Sequence, residues 1–274
     1  FGLCETCHDP IEHDRLLADP LLRYCIDHLT THQQAALQHD LDLAARIQHS
    51  LLPPRNLKTE DWEVAYHYEP AGPVSGDYCD LIPSADGGFL FLAADVSGKG
   101  VAASLLMSHL HATFRTLVSL GMPLAELLGR ANRLFCESTL PTHYATLICG
   151  RTLPGGEVEL SNAGHCPPLW IRASGVETIE AGGLPIGLFC SSEYPIARIR
   201  LEKGDRLLLY TDGLSEAQNA QQDDYGLDRL TDFLRRQHAA DPATLLRGCL
   251  ADVAAFLAGG EKRDDLSAVV IARR

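Results

Sequence analysis

Five aspartates in this chain stand where residue type and neighbours suit a divalent cation. Asp77 follows Ser75-Gly76, and Asp95 ends the apolar run Phe89-Leu90-Phe91-Leu92-Ala93-Ala94 before Val96-Ser97-Gly98-Lys99-Gly100. Asp212 ends Arg206-Leu207-Leu208-Leu209-Tyr210-Thr211 and precedes Gly213, while Asp264 and Asp265 stand directly before Leu266-Ser267-Ala268-Val269-Val270-Ile271. At the last three places a carboxylate meets the end of a buried β run. There the strand fixes the backbone, the edge opens to solvent, and a neighbouring glycine admits a ligand or a carbonyl. Carboxylates gathered within a few ångströms raise one another's pKa, a conflict that hard divalent cations relieve. Oxygen-only ligands suit Mg²⁺ or Mn²⁺ rather than zinc. Two such ions about 4 Å apart can hold a bridging water, lower its pKa and neutralise a phosphoryl group under attack. One aspartate alone would read as a turn or cap residue; the group does not.

A second set has different chemistry. Cys4-Glu5-Thr6-Cys7 and Cys25-Ile26-Asp27-His28 form C-x2-C-x17-C-x2-H. Two such knuckles can close a tetrahedral structural Zn²⁺ site with Cys4, Cys7, Cys25 and His28 as ligands, leaving no open position for catalysis. His8, His13 and His32 lie close enough in sequence to compete for the fourth place. So short a segment has almost no apolar core, so metal binding would supply most of its folding free energy. The motif from Phe1 to Cys7, closed by Cys25-Ile26-Asp27, resembles the zinc finger of DksA/TraR-type bacterial regulators, which usually carries cysteine where His28 stands. The resemblance spans about thirty residues and implies the finger's fold, not the binding of RNA polymerase. The six remaining cysteines (Cys79, Cys136, Cys149, Cys166, Cys190 and Cys249) are spaced singly and read as small buried hydrophobes in a reducing cytosol.

The elements that must position these residues follow from periodicity and breakers. A helix is expected from Thr31 to Leu52, with Thr30 or Thr31 as N-cap and Pro53-Pro54 as its stop. Leu37, Leu41, Ala44 and Leu51 follow a four-three spacing, with Gln48 where another apolar residue would fall. A polar residue in such a seam can fix the register of a paired helix, which would make residues 31–52 a homodimer contact. The alternative is an amphipathic helix packed on its own domain. Beyond it, strands are expected at Trp62–Glu69, Phe89–Val96, Tyr144–Arg151, Val158–Asn162, Pro168–Ala173, Ile196–Leu201, Arg206–Tyr210 and Leu266–Ala272. Helices are expected at Val101–Leu120, Leu124–Ser138, Leu227–Gln237 and Pro242–Ala258. Strands in runs and helices in pairs define an α+β layered domain rather than a parallel βαβ fold. The expected organisation is a finger over 1–30, a linker helix over 31–54 and a large domain over 55–274.

Taken in order, Ser75-Gly76-Asp77-Tyr78-Cys79-Asp80, Ala94-Asp95-Val96-Ser97-Gly98-Lys99-Gly100, Asn162-Ala163-Gly164-His165, Tyr210 to Ala217 and Asp264-Asp265-Leu266-Ser267 resemble the type 2C (PPM) metal-dependent serine/threonine phosphatases of the bacterial SpoIIE/RsbU-like branch. The resemblance runs from about Leu41 to the C-terminus. It implies an αββα sandwich with a two-metal Mn²⁺ or Mg²⁺ centre between the sheets. Carried across by position, it makes Asp77, Asp95, Asp212 and Asp264 metal ligands together with the Val96 carbonyl. Asp95 bridges both ions, and Asp265 is an alternative to Asp264. It further implies direct attack of a metal-bound water on phosphorus. Ser75, Cys79 and Cys166 depart from the family's usual residues without removing a ligand. His165 reads as a hydrogen-bonded turn residue rather than a general acid. Lys99 does not belong to a nucleotide-binding loop, since Gly-x4-Gly-Lys-Ser/Thr is absent.

Composition bounds the function. With 23 Lys and Arg against 36 Asp and Glu, the net charge of −13 repels phosphate backbones and anionic bilayers, so neither nucleic acid nor a membrane surface is an expected partner. The run Gly100–Phe114, free of charge, is too short to span a bilayer, and no signal peptide is read. The reading is a cytoplasmic protein phosphatase for phosphoserine or phosphothreonine. By resemblance its substrate is a phosphorylated anti-sigma-factor antagonist in bacterial partner switching, with an upstream regulator acting through the finger and helix. The alternative is a non-catalytic docking protein on the same fold, against which the complete set of carboxylates argues.

Overall fold

A computed structural model describes residues 2–54, 56–84, 87–180, 182–260 and 263–274; Phe1, the first residue of the finger motif, lies outside them. The chain divides into two compact units, Phe1–Ile47 and Gln48–Arg274.

The first unit has α1 (His13–Ala18), a 3-10 turn at Ile26–His28 and most of α2 (Thr31–Leu51). Among the described residues its core is Cys4, Ile11 and Cys25, against which Leu16, Leu22 and Tyr24 pack. α2 opens with a capping box. Thr30 Oγ1 accepts from the Gln33 N–H at 3.3 Å and Gln33 Oε1 accepts from the Thr30 N–H at 3.0 Å, so two backbone donors at the helix start are satisfied reciprocally.

In the second unit the chain runs β1 (Asn56–Lys58), β2 (Trp62–Glu69), β3 (Asp77–Pro83), β4 (Phe89–Val96), α3 (Gly100–Val118), α4 (Leu124–Ser138), β5 (Ala145–Thr152) and β6 (Glu157–Ala163). It continues through β7 (Leu169–Arg172), β8 (Gly175–Thr178), β9 (Gly182–Gly183), β10 (Ala197–Arg200), β11 (Arg206–Tyr210), α5 (Asp212–Ser215), α6 (Leu227–Arg236), α7 (Pro242–Leu257) and β12 (Leu266–Arg273). One sheet has the order β1-β2-β12-β11-β7-β8, and the other β10-β6-β5-β4-β3 with β9 beside β6.

Period-2 alternation explains the layering. In β4, Leu90, Leu92 and Ala94 face α3 and α4, while Phe89, Phe91 and Ala93 face the second sheet. In β11, Leu207 and Leu209 enter the space between the sheets, while Leu208 and Tyr210 join α6 and α7. Both faces of each sheet are covered, so these strands read as continuous apolar runs rather than alternating ones. The result is an α+β, αββα sandwich.

β2, β4, α4 and β11 occupy the residues that the sequence pattern marks. β3 was not expected, because Asp77, Asp80 and Pro83 interrupt its apolar pattern. It pairs antiparallel with β4 in a register that sets Asp77 opposite Asp95. The buried Asp80 is tolerated because Arg115 donates to its two oxygens at 2.7 and 2.6 Å and the Tyr78 hydroxyl donates at 3.0 Å.

Candidate active site

The carboxylates converge from the two sheets. Asp77 begins β3, Asp95 sits near the end of β4, Asp212 opens α5 just past β11, and Asp264 and Asp265 precede β12. Asp95 and Asp212 line one cleft of about 240 Å³ with Ser97, Tyr144, Thr146 and His165. Asp212 and Asp264 line an adjoining cleft of about 190 Å³ with Lys99, Gln218 and Arg263. Glu216 lines both.

Their electrostatics are those of anions held together. Burial, then the charges of Asp212, Asp264 and Asp265, push the Asp95 carboxyl up to about 7. Asp77 is 1% exposed. Its carboxyl is raised well above the usual range, by burial first and then by Asp95 and Asp265, against hydrogen bonds from Ser267 and Thr211. Asp212 is raised by burial and by Asp264. An oxygen-only group that ionises with such difficulty fits a hard divalent cation, whose charge would reverse those shifts.

Two glycines make the approach of these segments possible. A Cβ on Gly76 would lie 3.0 Å from the Val96 carbonyl oxygen and 3.2 Å from the Ala103 Cβ, and one on Gly213 would overlap the Asp265 carbonyl. The buried Thr211 hydroxyl donates to Asp77 Oδ2 at 3.0 Å and accepts from the Ser267 N–H at 2.9 Å, tying β11 and β12 to the start of β3.

Asp264 and Asp265 are engaged differently. Asp264 Oδ2 accepts from Lys99 Nζ at 2.8 Å, and Lys99 also reaches the Arg263 carbonyl at 3.1 Å. Asp265 accepts from the Ala71 N–H at 2.7 Å and the Gly76 N–H at 2.9 Å, one on each carboxylate oxygen. Asp265 therefore braces the 71–76 segment, while Asp264 is half-exposed to the cleft.

His165 is buried in the Asn162–His165 turn. Its N–H donates to Asn162 Oδ1 at 2.7 Å, the Asn162 amide donates to its carbonyl at 2.9 Å, and Nδ1 lies 2.8 Å from Thr146 Oγ1. Burial lowers its pKa to about 4, which disfavours the imidazolium form that a general acid would need. Lys99, Glu216 and Arg263 are cleft residues that motif reading left without a role. Lys99 and Glu216 lie inside quoted motifs, but only the folded chain shows that they share a cleft.

In the first unit, Cys4, Cys7, Cys25 and His28 bring their ligand atoms within 4.8 Å of one another, the one such set of three or more among the described residues. Cys7 and Cys25 Sγ lie 3.7 Å apart. A tetrahedral Zn–S bond of about 2.3 Å sets ligand–ligand edges of about 3.8 Å, so the thiol spacing fits that ion.

Two largely antiparallel sheets packed face to face, helix pairs on both outer faces and carboxylates at the strand ends define a PP2C-type domain. The fold is similar to that of the SiaA-PP2C domain of Pseudomonas aeruginosa, at a TM-score of 0.76 and 20% identity, covering 89% of this chain and 99% of that one. The chain belongs to the family described as Stage II sporulation protein E (SpoIIE), whose model matches residues 85–274. Residues 1–27 match the prokaryotic dksA/traR C4-type zinc finger. Phosphoserine phosphatase RsbP of Bacillus subtilis is 27% identical over 186 residues, 65% of this chain and 46% of that protein. Phosphoserine phosphatase RsbU of the same organism is 26% identical over 186 residues, 67% of this chain and 55% of that protein. The chain thus spans about half the length of these curated relatives.

Proposed function

We propose that this chain is a metal-dependent serine/threonine protein phosphatase, hydrolysing phosphoserine or phosphothreonine to the free hydroxyl and inorganic phosphate. The observation that carries the reading is the convergence of Asp77 and Asp95 from one sheet with Asp212 and Asp264 from the other, in a group whose carboxyls ionise only with difficulty. These four, with the Val96 carbonyl, would hold two Mn²⁺ or Mg²⁺ ions. When bound, the ions supply an ionised water and counter-charge for a phosphoryl group. Asp265 serves the site by holding the Gly76 N–H and so the approach to Asp77. Lys99 is exposed and free to turn toward an anion once Asp264 is otherwise neutralised. Neutral His165 shapes the cleft floor through Thr146.

The names of the two Bacillus relatives support phosphoserine as substrate. We extend this to a phosphorylated anti-sigma-factor antagonist, with zinc held by Cys4, Cys7, Cys25 and His28 in a finger that conveys a regulator's signal through the 31–54 helix. The deciding experiment is hydrolysis of a phosphoserine peptide with added Mn²⁺, wild type against Asp95→Asn. The expected result is metal-dependent release of phosphate that falls by roughly a hundredfold or more in the variant, since loss of a ligand would loosen an ion whose charge stabilisation is worth several kcal/mol. Equal rates in the two proteins, on the peptide and on a folded phosphoprotein, would refute it.

A further inference from the structure

Gln48 is the one buried residue of α2, at 4% exposure. Its carboxamide meets a single residue of the 70–76 segment through both of its functions. Nε2 donates to the Ser75 carbonyl at 2.7 Å, and Oε1 accepts from the Ser75 N–H at 3.0 Å. Ser75 lies between the end of β2 at Glu69 and the start of β3 at Asp77, outside any ladder, and is 1% exposed. Its two backbone groups therefore depend on Gln48 as a strand residue depends on its neighbour, and a buried backbone group without a partner is costly.

What Ser75 holds gives the contact its consequence. Ser75 Oγ accepts from the Asp77 N–H at 2.9 Å, and the next residue, Gly76, donates to Asp265 Oδ2 at 2.9 Å. The segment that presents Asp77 is clamped from one side by Gln48 and from the other by Asp265. A polar residue at a seam position of a helix, otherwise readable as a register device between two chains, spends both of its hydrogen-bonding functions within its own chain.

We infer that Gln48 is a positioning residue for the metal centre: it fixes Ser75 and thereby the place of Asp77, so that a turn or shift of α2 at residue 48 alters cation affinity. The inference rests on the proposed metal-dependent phosphatase reading. It assigns Gln48 no contact with substrate.

The test compares the full wild-type chain, Gln48→Met and the exposed control Gln38→Ala. Direct Mn²⁺ titration followed by electron paramagnetic resonance should show binding weakened by roughly tenfold in Gln48→Met, the factor expected from one to two lost neutral hydrogen bonds, and unchanged in Gln38→Ala. Turnover of the phosphoserine peptide should fall at low Mn²⁺ and recover toward wild type at saturating Mn²⁺, with KM for the peptide unchanged. A purely structural role would lower the unfolding temperature without moving Mn²⁺ affinity, so wild-type affinity in Gln48→Met overturns the inference. Amide exchange of residues 71–77, read without metal, should accelerate in Gln48→Met while β4 and β11 stay protected. Should that variant not fold, the wild-type chain still decides, because rapid exchange at the Ser75 amide would mean that no clamp exists. A wild-type chain without Mn²⁺-dependent hydrolysis brings down the phosphatase reading, while the metal-free exchange separately upholds or overturns the clamp.

Discussion

Asp95 concentrates the electrostatic tension of the cleft, and its behaviour with pH follows from sign. Its carboxyl titrates near 7 in the metal-free fold, against about 3.9 when unfolded. Between those values the folded chain binds more protons than the unfolded one, so this group adds stability as pH falls from about 7 toward 4 and costs stability above 7. Asp95→Asn removes the penalty. In EDTA at pH 8 the variant should therefore be more stable than wild type, by up to about 4 kcal/mol for a shift of this size, and the difference should shrink toward pH 5. Urea denaturation at the two pH values measures it, and a gap that widens on acidification would contradict the assignment. Gly213 gives a prediction of packing rather than charge. A methyl group there overlaps the Asp265 carbonyl, so Gly213→Ala should destabilise the chain by about 2 kcal/mol, as overpacking does. It should also disturb the Asp264–Asp265 turn, read as weaker Mn²⁺ binding.

Among the elements, β3 shows how a strand can be hidden in sequence. Its interior carboxylate Asp80 is fully buried and belongs to a salt bridge whose other member, Arg115, comes from α3. Local pattern cannot show that a partner will arrive from 35 residues away. Arg115→Leu should cost about 3 kcal/mol, because it leaves a buried charge without its counterion, and Asp80→Asn in the same chain should recover part of the loss. A double-mutant cycle by thermal unfolding checks this. The finger shows the opposite case, since the grouping of Cys4, Cys7, Cys25 and His28 is legible from spacing alone and the apolar core beside it is small. Cys25→Ser should abolish stoichiometric zinc and the cooperative melting of residues 1–30 while leaving the sandwich folded. Zinc content and circular dichroism measure the two effects.

For the whole molecule, two units with two kinds of ligand set predict two separable responses to metal removal. A zinc chelator should erase the unfolding transition of Phe1–Ile47 and leave that of Gln48–Arg274, which rests on three large apolar clusters. Mn²⁺ should raise only the second transition. Calorimetry with each chelator or ion distinguishes the two. Under the regulatory reading, removal of residues 1–30 changes either the Mn²⁺-dependent rate or the oligomeric state; if both stay as they are, the finger has no regulatory part.

By itself, the sequence determined the layered class, the cysteine–histidine spacing of the finger and the strand-end aspartates, because each is a local signal: period, breaker, or donor type at a fixed offset. The apolar runs of β4 and β11 are legible because both faces of each sheet are buried, whatever covers them. Tertiary structure alone decided that Asp77 stands opposite Asp95, that Lys99 pairs with Asp264 and that Asp265 braces the 71–76 segment. It also turned Gln48 from a seam residue into a partner of Ser75, and His165 into a neutral buried ring. Those outcomes depend on register and on distances between residues far apart in the chain. A periodic pattern says which face of an element is buried, but it does not say what the other elements bring to meet it.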